Sequence, residues 1–244
     1  MPPDPQVVIG LMTMLFSHPK FYCVVAVRNG CVVGSNCLDE RGPISGAGPI
    51  TVDPKLQNAG VGRMLMEAVV ARFGCRLLQA GYHMRSLSLY TKLGFIERET
   101  VVRLQGPPIQ NTMPGYYFRK ATPSDAAACD ALCFRVHGHE HSGELADAIA
   151  HDGVTIAKYG GRLVGYTTGL HYFGHTVAEN NRDLMAILAQ APSFEGTGFM
   201  VPVRNHEVFS WCLSHGLRAQ HLNTLMTIGL YMEPQGAWLP SILY

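Results

Sequence analysis

Apolar and polar positions along the chain follow two periods, and the period changes wherever glycines cluster. Ala26-Val27-Arg28-Asn29-Gly30-Cys31-Val32-Val33-Gly34 reads as two β-rich arms about an Asn-Gly turn. Ala157-Lys158-Tyr159-Gly160-Gly161-Arg162-Leu163-Val164-Gly165 reads as the same hairpin about Gly-Gly. Both turn positions need positive φ, which asparagine and glycine supply. The helical period takes over at Val61, Met64, Leu65, Ala68 and Val69. It returns from His83 to Phe95, ending in Lys92-Leu93-Gly94-Phe95, and from Asn205 to Leu217, ending in Ser214-His215-Gly216-Leu217. In both, glycine supplies the left-handed cap and an apolar residue opens a strand.

Two matching pairs in the same order point to an internal duplication. The boundary falls in the turn formers Gly106-Pro107-Pro108-Ile109-Gln110-Asn111-Thr112-Met113-Pro114-Gly115, giving units 1–105 and 116–244. The second opens with a strand, Tyr117 to Ala121, and a helix, Ala126 to Val136. The first lacks that pair and starts at a helix around Val7 to Ser17. Its missing pieces are absent or come from elsewhere, and pairing between two chains as a homodimer is one source.

Composition narrows the class. With 47% hydrophobic and 15% charged residues the chain is a well-buried globular protein. A net charge of +1 without basic blocks argues against a nucleic-acid partner. The apolar run Val7 to Phe16 is too short for the roughly 20 residues of a membrane span, and it lacks signal-peptide flanks. Seven scattered cysteines without CxxC spacing suit reduced thiols in the cytoplasm. Cys129, Cys133 and His137 stand at helical spacing, followed by His139 and His141. The spacing is that of a buried helix stripe with histidines at its frayed end, so no metal site is expected.

Chemistry concentrates in Ile50-Thr51-Val52-Asp53-Pro54-Lys55-Leu56-Gln57-Asn58-Ala59-Gly60-Val61-Gly62-Arg63. A short strand there leads into a helix, and two glycines at the junction let the backbone approach a ligand. Unpaired amides and the positive end of the helix dipole make this an anion site suited to a pyrophosphate. The Walker lysine-serine pair and the third glycine of the dinucleotide fingerprint are both missing.

Val52-x-Pro54-x-x-Gln57-x-x-Gly60-x-Gly62 resembles the acetyl-CoA signature of the GNAT acyltransferases. Leu89-Tyr90-Thr91-Lys92-Leu93-Gly94-Phe95 resembles that family's second signature, in the right order and at the right separation. The resemblance is close from Phe21 to Arg98 and looser from Tyr117 to Tyr231. It implies a mixed α/β (α+β) fold of two β-sheets flanked by helices. Acetyl-CoA is implied as co-substrate, with a small-molecule primary amine as acceptor. Amides of Asn58, Ala59, Gly60, Val61, Gly62 and Arg63 would hold the pyrophosphate beside Gln57. The backbone of Ile50, Thr51 and Val52 would pair with pantetheine. Tyr90 matches the residue that protonates the leaving thiolate, and His83 stands where an asparagine often touches the cofactor.

The sequence also departs from that pattern. Gly46 to Thr51 offers no carboxylate where many members carry a glutamate base, which leaves Asp39 and Glu40 as substitutes. In the second half, Val177 to Leu184 has no glycine pair, and Cys212 stands in the place of Tyr90. That half reads as a degenerate copy. The leading expectation is an N-acetyltransferase; the alternative is a non-catalytic acyl-CoA-binding or scaffolding protein. The apolar tail, Gly236 to Tyr244, is expected to dock, either on its own half or with its carboxylate near the acyl site as a base.

Overall fold

The computed structural model describes residues 5–72, 75–81 and 83–242. Helix α1 (Pro5–Ser17) leads into the hairpin β1 (Phe21–Arg28) and β2 (Cys31–Asp39). Its turn is built as the sequence requires, with Asn29 at φ 52° and Gly30 at φ 78°. The short strands β3 (Ser45–Ala47) and β4 (Thr51–Val52) follow, then α2 (Val61–Val70), β5 (Cys75–Ala80), α3 (Met84–Lys92) and β6 (Ile96–Gln105). The second half runs β7 (Tyr116–Lys120), α4 (Ala126–His137), α5 (Ser142–Ala150), β8 (Thr155–Tyr159), β9 (Arg162–Thr167), β10 (Thr176–Ala178) and α6 (Asn181–Gln190). It closes with β11 (Phe199–Pro202), α7 (His206–Ser214), β12 (Arg218–Thr227) and β13 (Ala237–Leu239).

The architecture is mixed α/β with two sheets. The larger has eight strands in the order β1-β2-β3-β5-β12-β6-β11, with β4 paired to β2 off this path. The smaller has five, in the order β13-β10-β9-β8-β7. The duplicated pattern is therefore not two closed sheets laid end to end. β12 enters between β5 and β6, antiparallel to both, with Leu225 opposite Leu78 on one side and Glu99 on the other. β11 then pairs with the free edge of β6. β12 runs from Arg218 to Thr227. Its first residues, Arg218 to Leu222, are exposed, so no apolar alternation marks them as strand.

Three apolar clusters follow from this arrangement. One lies where α2 and α3 cover the larger sheet and contains Leu38, Met66, Val69, Leu77, Tyr90, Phe95 and Met226. Another joins α4 to both sheets through Leu132, Cys133, Ile156, Tyr166, Leu225 and Trp238. The third centres on α6 and α7, with Leu104, Leu184, Phe199 and Cys212. The tail docks on its own half: β13 pairs antiparallel with β10, placing Trp238 opposite Val177. Leu243 and Tyr244, and with them the proposed terminal carboxylate, lie outside the described residues.

The cysteines depart from the expectation of reduced thiols. The hairpin register sets Cys23 directly opposite Cys37, and the two are joined as a disulfide. The other five are free, and four of those are buried.

Because β5 and β6 meet only through β12, residues 1–105 expressed alone should not fold cooperatively. Urea titration followed by far-UV circular dichroism should give a sloping curve for the fragment and a sigmoid for the full chain. A sigmoid for the fragment would show that the slot between β5 and β6 closes without β12.

Candidate active site

The segment between β4 and α2 folds as a compact exposed loop. Asp53 caps the 3-10 turn Pro54–Leu56 by accepting from the Lys55 amide at 2.9 Å. Asn58 and Gly60 both take left-handed backbone, at φ 71° and φ 86°, and Gly60 is the N-cap of α2. The first helical bond of α2 runs from the Met64 amide to the Gly60 carbonyl at 3.1 Å. The Val61, Gly62 and Arg63 amides therefore point out of the helix start without an i−4 acceptor. A Cβ on Gly60 would meet nothing within 4 Å, so space for a ligand lies there.

Three elements converge behind the loop. The Cβ position of Gly62 lies 3.7 Å from both Leu89 Cδ2 of α3 and Val52 Cγ2 of β4. Gly34 is needed for β4 to approach β2, since a Cβ there would lie 2.7 Å from the Thr51 carbonyl oxygen. β4 pairs with β2 through Gly34–Val52 and Ser35–Thr51, and among the described residues its other edge pairs with no strand. The structure thus gathers Thr51, Val52, the loop Gln57 to Arg63 and α3 in one region, with Ile50 packed against the adjoining cluster. Arg85, which the motif did not single out, extends NH1 to 3.4 Å from Asn58 Oδ1 and adds a cation at the loop. A basic residue in the first turn of α3 was the available signal for it.

Tyr90 is buried on α3 against Phe95, with ring centroids 6.0 Å apart. Burial pushes its phenol pKa up, opposed by a hydrogen bond from Ser86 one turn earlier. His83 is the exposed N-cap residue of α3. The two carboxylates considered as bases are both held by arginines. Asp39 receives Arg41 Nε and NH2 at 2.9 and 2.6 Å, and Glu40 receives Arg72 Nε at 2.6 Å.

The second half treats the equivalent positions differently. Asn180 caps α6 by accepting from the Asp183 amide at 3.1 Å, and buried Asp183 brings negative charge to that helix start. Cys212 is buried, and its thiol is pushed up to about 12 by desolvation. The outer edge of β10 is already hydrogen-bonded to β13.

Side-chain alternation on β5 turns Cys75 and Leu77 toward α2 and α3, so Arg76 and Ala80 face the second half. Ala80 lines a cavity of about 340 Å³ with Arg103, Tyr172, His221 and Asn223. At the other end of β5, Arg76 NH2 lies 2.8 Å from His139 Nε2 in a histidine cluster. His175 Nε2 is 3.3 Å from His137 Nε2, and His141 Nδ1 is 3.2 Å from Glu144 Oε2. These histidines are not a frayed helix end. Gly138 closes α4 in left-handed backbone, and the chain folds back so that His137 and His139 are buried. His175 carried no sequence signal, because it joins the group only through sheet pairing.

Burial, then neighbouring cations, hold these imidazoles neutral. His139 is lowered to about 4 by desolvation and Arg76, and His175 to about 3 by desolvation and His141. His137 and His141 are also lowered, chiefly by burial. The unfolded chain, with ordinary values near 6.5, binds more protons than the folded one between those limits. Stability should therefore fall as pH drops from about 6.5 toward 4. Melting temperatures measured with EDTA present should decline over this range, and the decline should be shallower in His175→Gln. An equal slope in that variant would assign the acid sensitivity elsewhere.

Residues 19–97 match the profile of the acetyltransferase (GNAT) domain. No curated protein matches the sequence. Among solved structures, one from Pyrococcus horikoshii assigned as an acetyltransferase superposes with a TM-score of 0.77 at 18% identity, covering 99% of this chain and 86% of that one. A tandem GNAT protein from the clavulanic acid biosynthesis pathway gives 0.51 at 16% identity, over 95% of this chain and 90% of that one. A GCN5-related N-acetyltransferase from Sphaerobacter thermophilus gives 0.52 at 13% identity, over 86% and 81%. At such identities the structures speak for the fold, and the profile speaks for the domain. Residues 19–97 thus carry an acetyltransferase (GNAT) domain, within a fold shared with solved acetyltransferases over nearly the whole chain.

Proposed function

We propose that this protein transfers an acetyl group from acetyl-CoA to a small-molecule primary amine by direct attack on the thioester. The observation that carries this reading is the open nest of Asn58 to Arg63 beside the unpaired edge of β4. Amides of Asn58, Ala59, Gly60, Val61, Gly62 and Arg63 suit a pyrophosphate, with Arg85 adding charge. The backbone of Ile50 to Val52 is free to pair with an amide-bearing arm, as a strand would. His83 is the exposed N-cap of α3, the helix that carries Arg85 and Tyr90.

The amine nitrogen would attack the thioester carbonyl, forming a C–N bond and a tetrahedral oxyanion. On collapse the C–S bond breaks, Tyr90 gives its proton to sulfur, and the nitrogen loses its proton to solvent. A raised phenol pKa keeps Tyr90 protonated at neutral pH and fits it as the acid. The acceptor has room in the cavity lined by Ala80, Arg103 and Asn223 on the sheet face opposite α3.

The second half is read as a degenerate copy within units 1–105 and 116–244, since its helix start is self-capped and its strand edge is filled. The protein is read as cytoplasmic on its four buried free thiols. The second reading, an acyl-CoA binder without turnover, is favoured by the arginines that hold Asp39 and Glu40. Thiol release from acetyl-CoA with a panel of amines separates the two readings.

Gly62→Glu should abolish acetyl-CoA binding in a folded protein, because its Cβ makes only ordinary contacts with Leu89 and Val52 while a carboxylate at the start of α2 repels the phosphates. Calorimetry at wild-type affinity would remove the nest from the site. Tyr90→Phe should lower kcat by about 10²-fold or more with KM for acetyl-CoA little changed, since the phenol acts only as sulfur leaves. A loss within about threefold would make Tyr90 a packing residue.

A further inference from the structure

The histidine cluster between the halves is outside the acyl site, and nothing in the acetyl-transfer chemistry uses it. We propose that His141, Glu144 and His175 bind a divalent transition-metal ion of the zinc class. One donor atom from each lies within 4.8 Å of the other two. Zinc ligands at about 2.0–2.2 Å in a tetrahedron stand roughly 3.3–3.6 Å apart, so side-chain adjustments of about 1 Å would close the set. Imidazole with carboxylate suits zinc and its neighbours, whereas calcium and magnesium select all-oxygen sites.

The supporting contacts around the donors are of the kind that fix metal ligands. Glu144 Oε1 accepts from Thr168 Oγ1 at 2.8 Å, which orients the carboxylate. His175 Nε2 meets His137 Nε2 at 3.3 Å, and the His137 ring is itself held edge-on against Trp238 at 5.2 Å. His141 and His175 stack with centroids 4.4 Å apart. The residues come from α5, the turn before it and the loop leading into β10, so the site forms only in the folded chain.

Charge and access agree with a cation. His141 and Glu144 line a small cavity of about 30 Å³, room for a single water, together with Asp39, Arg41, Glu140 and Gly46. Arg41 is paired with both Asp39 and Asp147, so the four carboxylates Asp39, Glu140, Glu144 and Asp147 outnumber this one guanidinium and leave a negative field. Arg76 opposes the ion, but it is bonded to His139, whose ring stacks on His141 at 5.0 Å. One imidazole therefore separates the guanidinium from the donors. Three protein ligands, two of which line that cavity, leave a tetrahedral site one coordination place for water.

The test uses full-length protein stripped with EDTA and titrated with Zn²⁺ against a chromophoric chelator. The expected result is about one ion per chain, with Co²⁺ giving the visible bands of a tetrahedral site. Glu144→Gln keeps the shape and the Thr168 contact, and it should weaken binding about tenfold or more; His175→Ala should do the same. A surface control, His206→Ala, should bind as wild type. Circular dichroism confirms that each variant is folded, and Glu144→Gln decides the matter if His175→Ala is not. The absence of stoichiometric binding in the wild type, or wild-type affinity in folded Glu144→Gln, would overturn the proposal. None of these outcomes depends on whether the chain transfers acetyl groups.

Discussion

The hydrogen bonding of β12 on both its edges is the constraint from which the rest of the molecule follows. β5 and β6 are joined through α3 and run parallel to one another, each antiparallel to the strand between them. A helix crossover of this kind leaves a slot in the sheet, and an antiparallel strand must come from elsewhere to fill it. Here it comes from the far end of the chain, so neither half closes its sheet alone. Every unmatched amide and carbonyl of β5 and β6 would otherwise face either water or an apolar neighbour, and the second is costly. The pairing also fixes which face of β5 meets the second half, and with it the seam that holds Arg76 and the histidines.

The two halves differ in which backbone donors and strand edges they leave open. In the first, the glycines of the loop leave the start of α2 uncovered and Gly34 lets β4 lie close to β2. In the second, Asn180 satisfies the start of α6 from within, and β13 occupies the edge of β10. The difference is a matter of which donors are already used. An amide bonded to its own side chain, or a strand edge bonded to the tail, has nothing to offer an anion or an extended ligand.

Local chemistry was legible in the sequence, and long-range assembly was not. The Asn29-Gly30 turn, the amphipathic face of α2 and the glycine cap of α3 are each set by residues within a few positions of one another. They stand in the structure much as the periodicity requires, with α3 running Met84–Lys92 inside the wider expected span, but on α2 the buried stripe takes Met66 and leaves Met64 61% exposed. The insertion of β12 was not legible, because its exposed first half carries no alternation and its partners are over a hundred residues distant. The same holds for the histidines. Helical spacing identifies Cys129 and Cys133 as core, and both are buried on α4. Nothing local says that His175 will arrive beside them, or that Asp39 and Glu40 will be held by Arg41 and Arg72.

The composition of the seam argues that it does more than join two surfaces. Fully apolar faces would associate with a larger gain, since burying an imidazole or a guanidinium forfeits hydration that contacts only partly restore. Yet His137 and His175 are 0% exposed and Arg76 is 2% exposed where β5 meets α4 and β10. Such groups persist where they fix one arrangement against others or hold something apolar side chains cannot. The register of β12 already fixes the arrangement, because a shift by one residue would turn Leu225 out of the core. What remains for the imidazoles is their chemistry. Neutral rings with lone pairs, gathered beside a carboxylate that a threonine orients, are built to coordinate.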